Sequence, residues 1–486
     1  MLLGLDLGTG SVKALLLSSE REVLGEGSAP YDVLAPRSGW AETDPEEWWN
    51  GVIRATRTAI GERGGEVRAI GLSGQMHGVV LSEAGGRPLR QAILWADTRS
   101  AEQLTVYQAL GDDLRRRLAN PAATGMAGPS LLWLRDHEPD VYARARWALQ
   151  PKDWLRLRLT GEAAAEPSDA SATLLYDLEG DGWAYEVVEA LGLRDELLAP
   201  LVPSGSVAGP LSREAAEALG IGAEIPVAAG AADTAAAMLG SGLMRSGVAQ
   251  LTVGTGGQIV VPRERPEPDP HERTHLYRAA TDTGWYAMAA IQNAGLALEW
   301  ARRVLGAGWD EVYEEAFAVP PGAGGVAFLP YLSGERTPRF DPSARGTWTG
   351  LGLDHTRGHL LRAALEGVAF ALREGLEALE ETGAGIPELR LAGGGTARKP
   401  WRQLLADVLG RPLRLLPENV ASVASARGAA ILAGLASGAL RVEDIVTPGD
   451  TTGEVVRPGE ESGEYEAAYA RYREIYPRLH EPRPGM

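Results

Sequence analysis

Twice in 486 residues an apolar strand pattern runs straight into Gly-Thr-Gly, as 2-LLGLDLGTG-10 and again as 248-VAQLTVGTG-256. No other feature limits the fold as much. A dinucleotide-binding unit passes from strand through glycines into a helix. Here the residues after the first turn, 13-KALLLSSEREVLGEGSAPY-31, read instead as two more strands around a polar turn at 18-SSERE-22. The opening is therefore antiparallel, with the glycines at a tight hairpin turn. The two turns lie about half a chain apart, as a duplicated α/β unit would place them, and 486 residues exceed one ordinary core. The expected domains are 1–245 and 246–486.

Other elements follow the same grammar. In 43-TDPEEWWNGVIRATRTAIG-61, Asp44 is placed to cap a helix, Pro45 to start it and Glu47 to close a capping box. Trp49, Val52, Ile53, Thr56 and Ile60 share one face at helical spacing. The strand 67-VRAIGLS-73 enters 74-GQMHG-78, and 91-QAILW-95 ends at 96-ADTR-99. In the second half a long amphipathic helix spans 359–383, a strand spans 388–392, and a helix at 399–410 follows the triple glycine 393-GGG-395. The stretches 262-PRERPEPDPHER-273 and 457-RPGEESGE-464 read as exposed loops.

Charge and composition narrow the function. The formal charge is -18 with no acidic tail, which argues against nucleic acid, whose binding needs Lys and Arg on phosphates. There are no cysteines, so disulfides, thiolate catalysis and Cys-ligated zinc are excluded. No apolar run reaches the ~18 residues a membrane span needs, and Asp6 comes too early for a signal peptide. A cytoplasmic protein without membrane contact is the expectation.

Three glycine elements and a set of polar residues could carry chemistry. In 6-DLGTGSVK-13 the backbone of Gly8, Thr9, Gly10 and Ser11 could cradle phosphate oxygens, with Lys13 nearby and Asp6 holding a hydrated Mg²⁺. Alone, this stretch reads equally well as a plain hairpin turn. Gly254, Thr255, Gly256 and Gly257 repeat the donors without the acid, so the pair suggests a two-sided phosphate clamp. Gly393, Gly394 and Gly395 leave room for a flat ring against the backbone, with a flexible connector as the rival reading. At strand ends, Gln75 and His77 suit a polyhydroxylated ligand and Met76 its carbon face. Asp97 and Arg99 add a second polar pair, or an ordinary surface ion pair. Asp233, in 230-GAADTAAAM-238, is the sole carboxylate among small or apolar neighbours that leave room beside it. His271/His275 and His355/His359 have metal-pair spacing but no local acidic third ligand, and metal binding is rejected for both. No Walker pattern or protein-kinase motif set occurs.

The constellation resembles the FGGY family of carbohydrate kinases and, within it, the xylulokinases. The carriers are 4-GLDLGTGSVK-13, 73-SGQMHG-78, 93-ILWADTR-99, 151-PKDWLRLRLTGE-162, 230-GAADTAAAMLG-240, 251-LTVGTGG-257, 329-LPYLSGERTP-338, 346-GTWTGLGLDHTRGHLLRAALEG-367 and 393-GGG-395. The resemblance implies two ribonuclease-H-like domains of the actin/hexokinase superfamily closing on an interdomain catalytic cleft. It implies sugar binding and the catalytic base in the first domain and nucleotide binding in the second. It implies ATP and Mg²⁺, a catalytic base at Asp233, and a phosphate-side acid at Asp6, the two holding the metal through water. The implied acceptor is the 5-hydroxyl of D-xylulose, bound near Gln75, Met76, His77, Asp97, Arg99, Asp233 and Thr234. A homodimer is implied by resemblance only. Three places depart from the family pattern: Ala231-Ala232-Asp233-Thr234 stands where Gly-Gly-Asp-Asn is frequent, GTGG where GTSG is common, and Ser130 where lysine is usual. These leave D-ribulose or another polyol as alternatives, and a non-catalytic sugar- or nucleotide-binding regulator as the alternative from another class.

Overall fold

The computed structural model describes residues 1–281, 284–445 and 453–480. Two seven-stranded sheets carry the chain. In the first, Leu2–Leu7 pairs antiparallel with Ser11–Leu17 on one side and parallel with Ala69–Gly74 on the other. In the second, Ala249–Val253 pairs antiparallel with Gly257–Arg263 and parallel with Leu389–Ala392. Each Gly-Thr-Gly turn thus closes a hairpin whose first strand is flanked by a parallel strand. The parallel partner's end opens beside the turn, which is where ligands meet such sheets.

The helix Pro45–Ile60 is capped by Asp44, whose carboxylate accepts from Glu46 N–H at 3.0 Å. The expected capping box does not form. Trp48, Trp49, Val52, Ala55, Thr56, Ala59 and Ile60 are its buried residues, whereas Ile53 is half-buried. The pattern 91–95 forms only the two-residue strand Ala92–Ile93, which pairs with Glu42–Thr43 outside the main sheet. The expected loop at 262–273 is partly strand, because Pro262 and Arg263 extend Gly257–Arg263, and Asp269 within it is buried on Arg273. Residues 460–464 form a short 3₁₀ turn.

One helix crosses the boundary that the sequence suggests. Ala424–Ala436 comes from the second half yet packs on strands of the first sheet and on the helix Asp233–Gly240. The contact is backbone to backbone. A methyl at Gly4 would fall on the Ala426 carbonyl, one at Gly71 on the Ala429 carbonyl, one at Gly240 on the Ala424 carbonyl, and one at Gly428 on the Ala236 carbonyl. Interiors packed this closely do not absorb an added carbon without shifting. Asp233 therefore begins a helix whose position is fixed to within a methyl group.

Candidate active site

Asp233 reaches the site because Ala231–Ala232 pairs parallel with Ser73 and Gly74, at the same sheet end as Asp6 and Ser73. The helix Asp233–Gly240 begins there. Its carboxylate Oδ1 accepts from the Thr234 N–H at 2.6 Å and the Thr234 hydroxyl at 3.2 Å. Burial, then the nearby Asp6 charge, pushes the Asp233 carboxyl up to about 7. Burial also raises Asp6, against Ser73, whose hydroxyl donates to it at 3.1 Å, and the Lys13 charge. Two carboxylates close together, both held toward the protonated form, are a setting that a divalent cation would relieve.

Two cavities meet at this point. The larger, about 530 Å³, is lined by Asp6, Gly8, Gly393, Gly394, Arg402, Glu418 and Ser425 among others. The smaller, about 400 Å³, is lined by Met76, His77, Trp95, Gly254, Thr255, Gly256, Gly257, Gln292 and Arg336 among others. Asp233, Thr234, Thr252 and Gln258 line both. A group transferred between the cavities would pass Asp233.

The first turn is held from three sides. Tyr31 hydroxyl and Gln75 Nε2 donate to the Gly8 carbonyl, the latter at 3.3 Å, and Trp95 Nε1 donates to Thr9 Oγ1 at 2.9 Å. Gly10 accepts from Tyr31 N–H through its carbonyl, and the Ser11 carbonyl closes the turn with Gly8 N–H. In the smaller cavity, His77 has φ of 74°, an uncommon conformation for a side chain of that bulk. Its Nδ1 lies 2.8 Å from the Ala172 carbonyl. A carbonyl can only accept, so the ring proton sits on Nδ1 and Nε2 is left as an acceptor. Desolvation pushes the ring down to about 4, so it is neutral. Met76 is buried, with its sulfur 3.7 Å from the Tyr286 hydroxyl.

Several expected residues are elsewhere. Asp97 and Arg99 line neither cavity. The Asp97 carboxylate accepts from Ala41 N–H at 2.6 Å and pairs with Arg99 at 2.7 Å, while Arg99 also pairs with Glu42 and lies 3.5 Å over the Trp40 ring. Their work is to tie loops of the first domain together. Gln75 is buried and bonded to the first turn, and it lines neither cavity. Thr9, Gly10, Ser11 and Lys13 also lie outside both, and the Lys13 ammonium donates to the Ser422 carbonyl at 3.0 Å. The two turns do not clamp one cavity: Gly8 opens on the larger and Gly254–Gly257 on the smaller. The three glycines at 393–395 divide their tasks. A side chain at Gly393, whose φ is 100°, or at Gly395 would strike Val253, whereas Gly394 faces open space in the larger cavity.

The sequence missed the layer behind Asp233. Ala232 N–H donates to Ser168 Oγ at 2.9 Å. That hydroxyl bonds Glu166, which also takes Ser204 and lies 3.2 Å from Lys152 Nζ. All four side chains are buried. The cluster fixes the chain entering Asp233 from below. Lys152 was legible only as part of a motif, and nothing marked 166-EPSD-169 in the sequence. Trp95, Gln258 and Arg336 were missed as cavity residues, although two of them sit in stretches that carried the resemblance.

The sequence profile of the N-terminal domain of the FGGY carbohydrate kinases matches residues 1–240, and that of the C-terminal domain matches 249–437. The chain belongs to the FGGY family of carbohydrate kinases. Among relatives, it is 37% identical to the Escherichia coli xylulose kinase over 440 residues, 90% of each chain. It is 34% identical to the Bacillus subtilis xylulose kinase over 443 residues, covering 90% of this chain and 88% of that one. The crystal structure of a xylulose kinase from Rhodospirillum rubrum matches with a TM-score of 0.89 at 31% identity, over 99% of both chains. That of a gluconate kinase from Lactobacillus acidophilus matches at 0.92 and 26% identity, over 98% of this chain and 97% of that one. The two-domain FGGY fold expected from the sequence is the fold observed. In this family setting, the geometry offers a nucleotide-sized cavity, a smaller cavity whose apolar wall carries His77, Gln258, Gln292 and Arg336, and a carboxylate between them.

Proposed function

We propose that this FGGY kinase transfers the γ-phosphoryl group of ATP to the 5-hydroxyl of D-xylulose. The observation that carries the reading is Asp233, a carboxylate raised to about 7 on the wall shared by both cavities. The names of the relatives support D-xylulose as the acceptor.

ATP occupies the larger cavity, its adenosine over Gly393 and Gly394 and its phosphates toward Gly8 and Thr252. The ketose occupies the smaller one, with His77 Nε2 accepting from a hydroxyl and Met76 against carbon. Asp233 takes the proton from the 5-hydroxyl. Its Oδ1 is engaged by Thr234, so the other oxygen is the one free to act. A base poised near neutrality removes that proton without being protonated already. Gly8 of the first turn borders the phosphates in the larger cavity, and backbone of the second turn, on the smaller cavity, meets the phosphoryl group where charge is redistributed during transfer. Asp6 and Asp233 fit a hydrated Mg²⁺, since both are raised by burial and lie close enough to repel; bound there, the ion would neutralise phosphate charge. The nucleotide lies mainly on the second domain, 246–486, and the acceptor between the two, against Met76, His77 and Asp233 of 1–245 and Gln258 and Arg336 of 246–486, in a cytoplasmic enzyme that forms a homodimer.

A coupled ADP-release assay over ketoses, aldoses and polyols tests the reading. D-Xylulose is expected to give the highest kcat/KM. If it gives no turnover above the ATPase background while another sugar does, the acceptor is wrong. Light scattering that finds a monomer at micromolar concentration removes the dimer.

A further inference from the structure

Arg336 presents a guanidinium edge that no acceptor among the described residues occupies. Its guanidinium lines the smaller cavity, yet it makes no hydrogen bond or ion pair with any described residue. Burying such a group without acceptors is unfavourable, so proteins that keep one usually have a ligand for it. The backbone that carries the guanidinium is held on both sides. Glu335 Oε1 accepts from Gln292 N–H at 2.6 Å and from Arg336 N–H at 2.9 Å. On the other side, Thr337 N–H donates to the Ala290 carbonyl at 2.9 Å and Ala290 N–H to Thr337 Oγ1 at 3.0 Å. Three of these bonds tie both neighbours of Arg336 to Ala290 and Gln292 at the end of the strand Trp285–Ile291, and the fourth holds Glu335 against the Arg336 backbone. The guanidinium lies 5.4 Å from the centre of the Trp95 ring, and Trp95 is itself anchored on Thr9. Stacking on a ring leaves the N–H donors at the guanidinium edge free.

We propose that Arg336 selects the acceptor by donating to its carbonyl oxygen and an adjacent hydroxyl oxygen, so that the cavity prefers a ketose to the corresponding polyol. The proposal rests on the reading of the smaller cavity as the acceptor site. A guanidinium has five donors and no acceptor, so it pairs only with lone pairs and suits two oxygens side by side. A ketose offers this at its carbonyl end, while Asp233 requires a hydroxyl at the other. His77 complements it: the Arg336 charge helps keep His77 neutral and accepting, so one residue gives hydrogen bonds and the other takes them. Met76, also lining the cavity, leaves the carbon face to an apolar neighbour.

The test compares D-xylulose with xylitol for the wild-type enzyme, Arg336→Gln and Arg336→Lys. Losing a charge-assisted pair should lower kcat/KM for D-xylulose about 10- to 100-fold in Arg336→Gln. The loss should appear chiefly in KM, with a much smaller change for xylitol and partial rescue in Arg336→Lys. ATP affinity and melting temperature should stay near wild type. Equal losses for both acceptors, carried by kcat, would assign Arg336 to the phosphoryl group instead and overturn the proposal. So would unchanged kinetics. Calorimetric binding of the same two acceptors without nucleotide reads the inference separately from turnover. Should the wild type turn over no ketose, the acceptor reading fails, but a ketose preference in binding that Arg336→Gln abolishes still upholds Arg336. A wild type that binds both alike overturns it.

Discussion

Replacing Asp233 by Asn should remove activity and add stability. Asn keeps an Oδ1 to accept from Thr234 N–H, so the start of the helix Asp233–Gly240 is preserved while the base is lost. Losing a general base of this kind costs about 10²- to 10⁴-fold in kcat. The raised carboxyl also makes a claim about stability. A rise from the ordinary 3.8 to about 7 sets a ceiling of about 4 kcal/mol against the charged form. Because the folded state holds the proton more tightly than the unfolded chain, the penalty grows as pH rises from about 4 and is complete above about 7. Part of it is screened at a cleft open to water, and an increase of about 1–3 kcal/mol for Asp233→Asn at pH 8 is expected. Thermal or urea unfolding without nucleotide or metal reads that number, and the coupled assay reads kcat. In the wild type, activity should be full near pH 8 and fall about tenfold per pH unit below the pKa of the base, which a cation beside Asp6 and Asp233 would move below the metal-free value of about 7. An Asp233→Asn enzyme keeping more than a tenth of its rate would refute the base. A variant less stable than wild type at pH 8 would refute the account of its pKa.

Two other outcomes follow from packing. Gly428→Ala would drive a methyl into the Ala236 carbonyl and should lower stability by about 1–3 kcal/mol, measured by urea unfolding; an unchanged midpoint would mean the two helices are not in backbone contact. Arg99→Ala leaves buried Asp97 without its cation, while Glu42 keeps Arg90, and should cost about 3–5 kcal/mol. Once folded, its KM for the acceptor should be near wild type, and a KM rise of tenfold or more at unchanged stability would return Arg99 to the sugar site.

The sequence carried the fold further than the site. Hairpin turns, the capped helix after Asp44 and the long helix in the second half are local patterns, and local patterns survive translation into structure. Asp233 was legible for a similar reason, since a lone carboxylate among alanines has no partner nearby to explain it. Asp97 and Arg99 misled because two charges at a strand end look alike whether they face a ligand or each other. Only the distant Glu42, Trp40 and Ala41 decide between the two. Lys152, Glu166, Ser168 and Ser204 failed to stand out because the cluster is assembled from separate loops and helices. Arg336 was hidden differently: its distinction is a guanidinium edge without an acceptor among the described residues, which no sequence displays.

The helix Ala424–Ala436 has a consequence for how the molecule is made. It rests on Gly4 and Gly71 and on the helix that Asp233 begins, so those strands wait for residues made more than 350 positions later to be covered. A nascent chain of 245 residues holds both carboxylates but exposes a glycine-floored sheet where that helix belongs. Contacts joining residue 4 to residue 426 are slow to form, because the intervening loop must first be closed. The helix that Asp233 begins is therefore made early and locked in place only when residues 424–436 arrive.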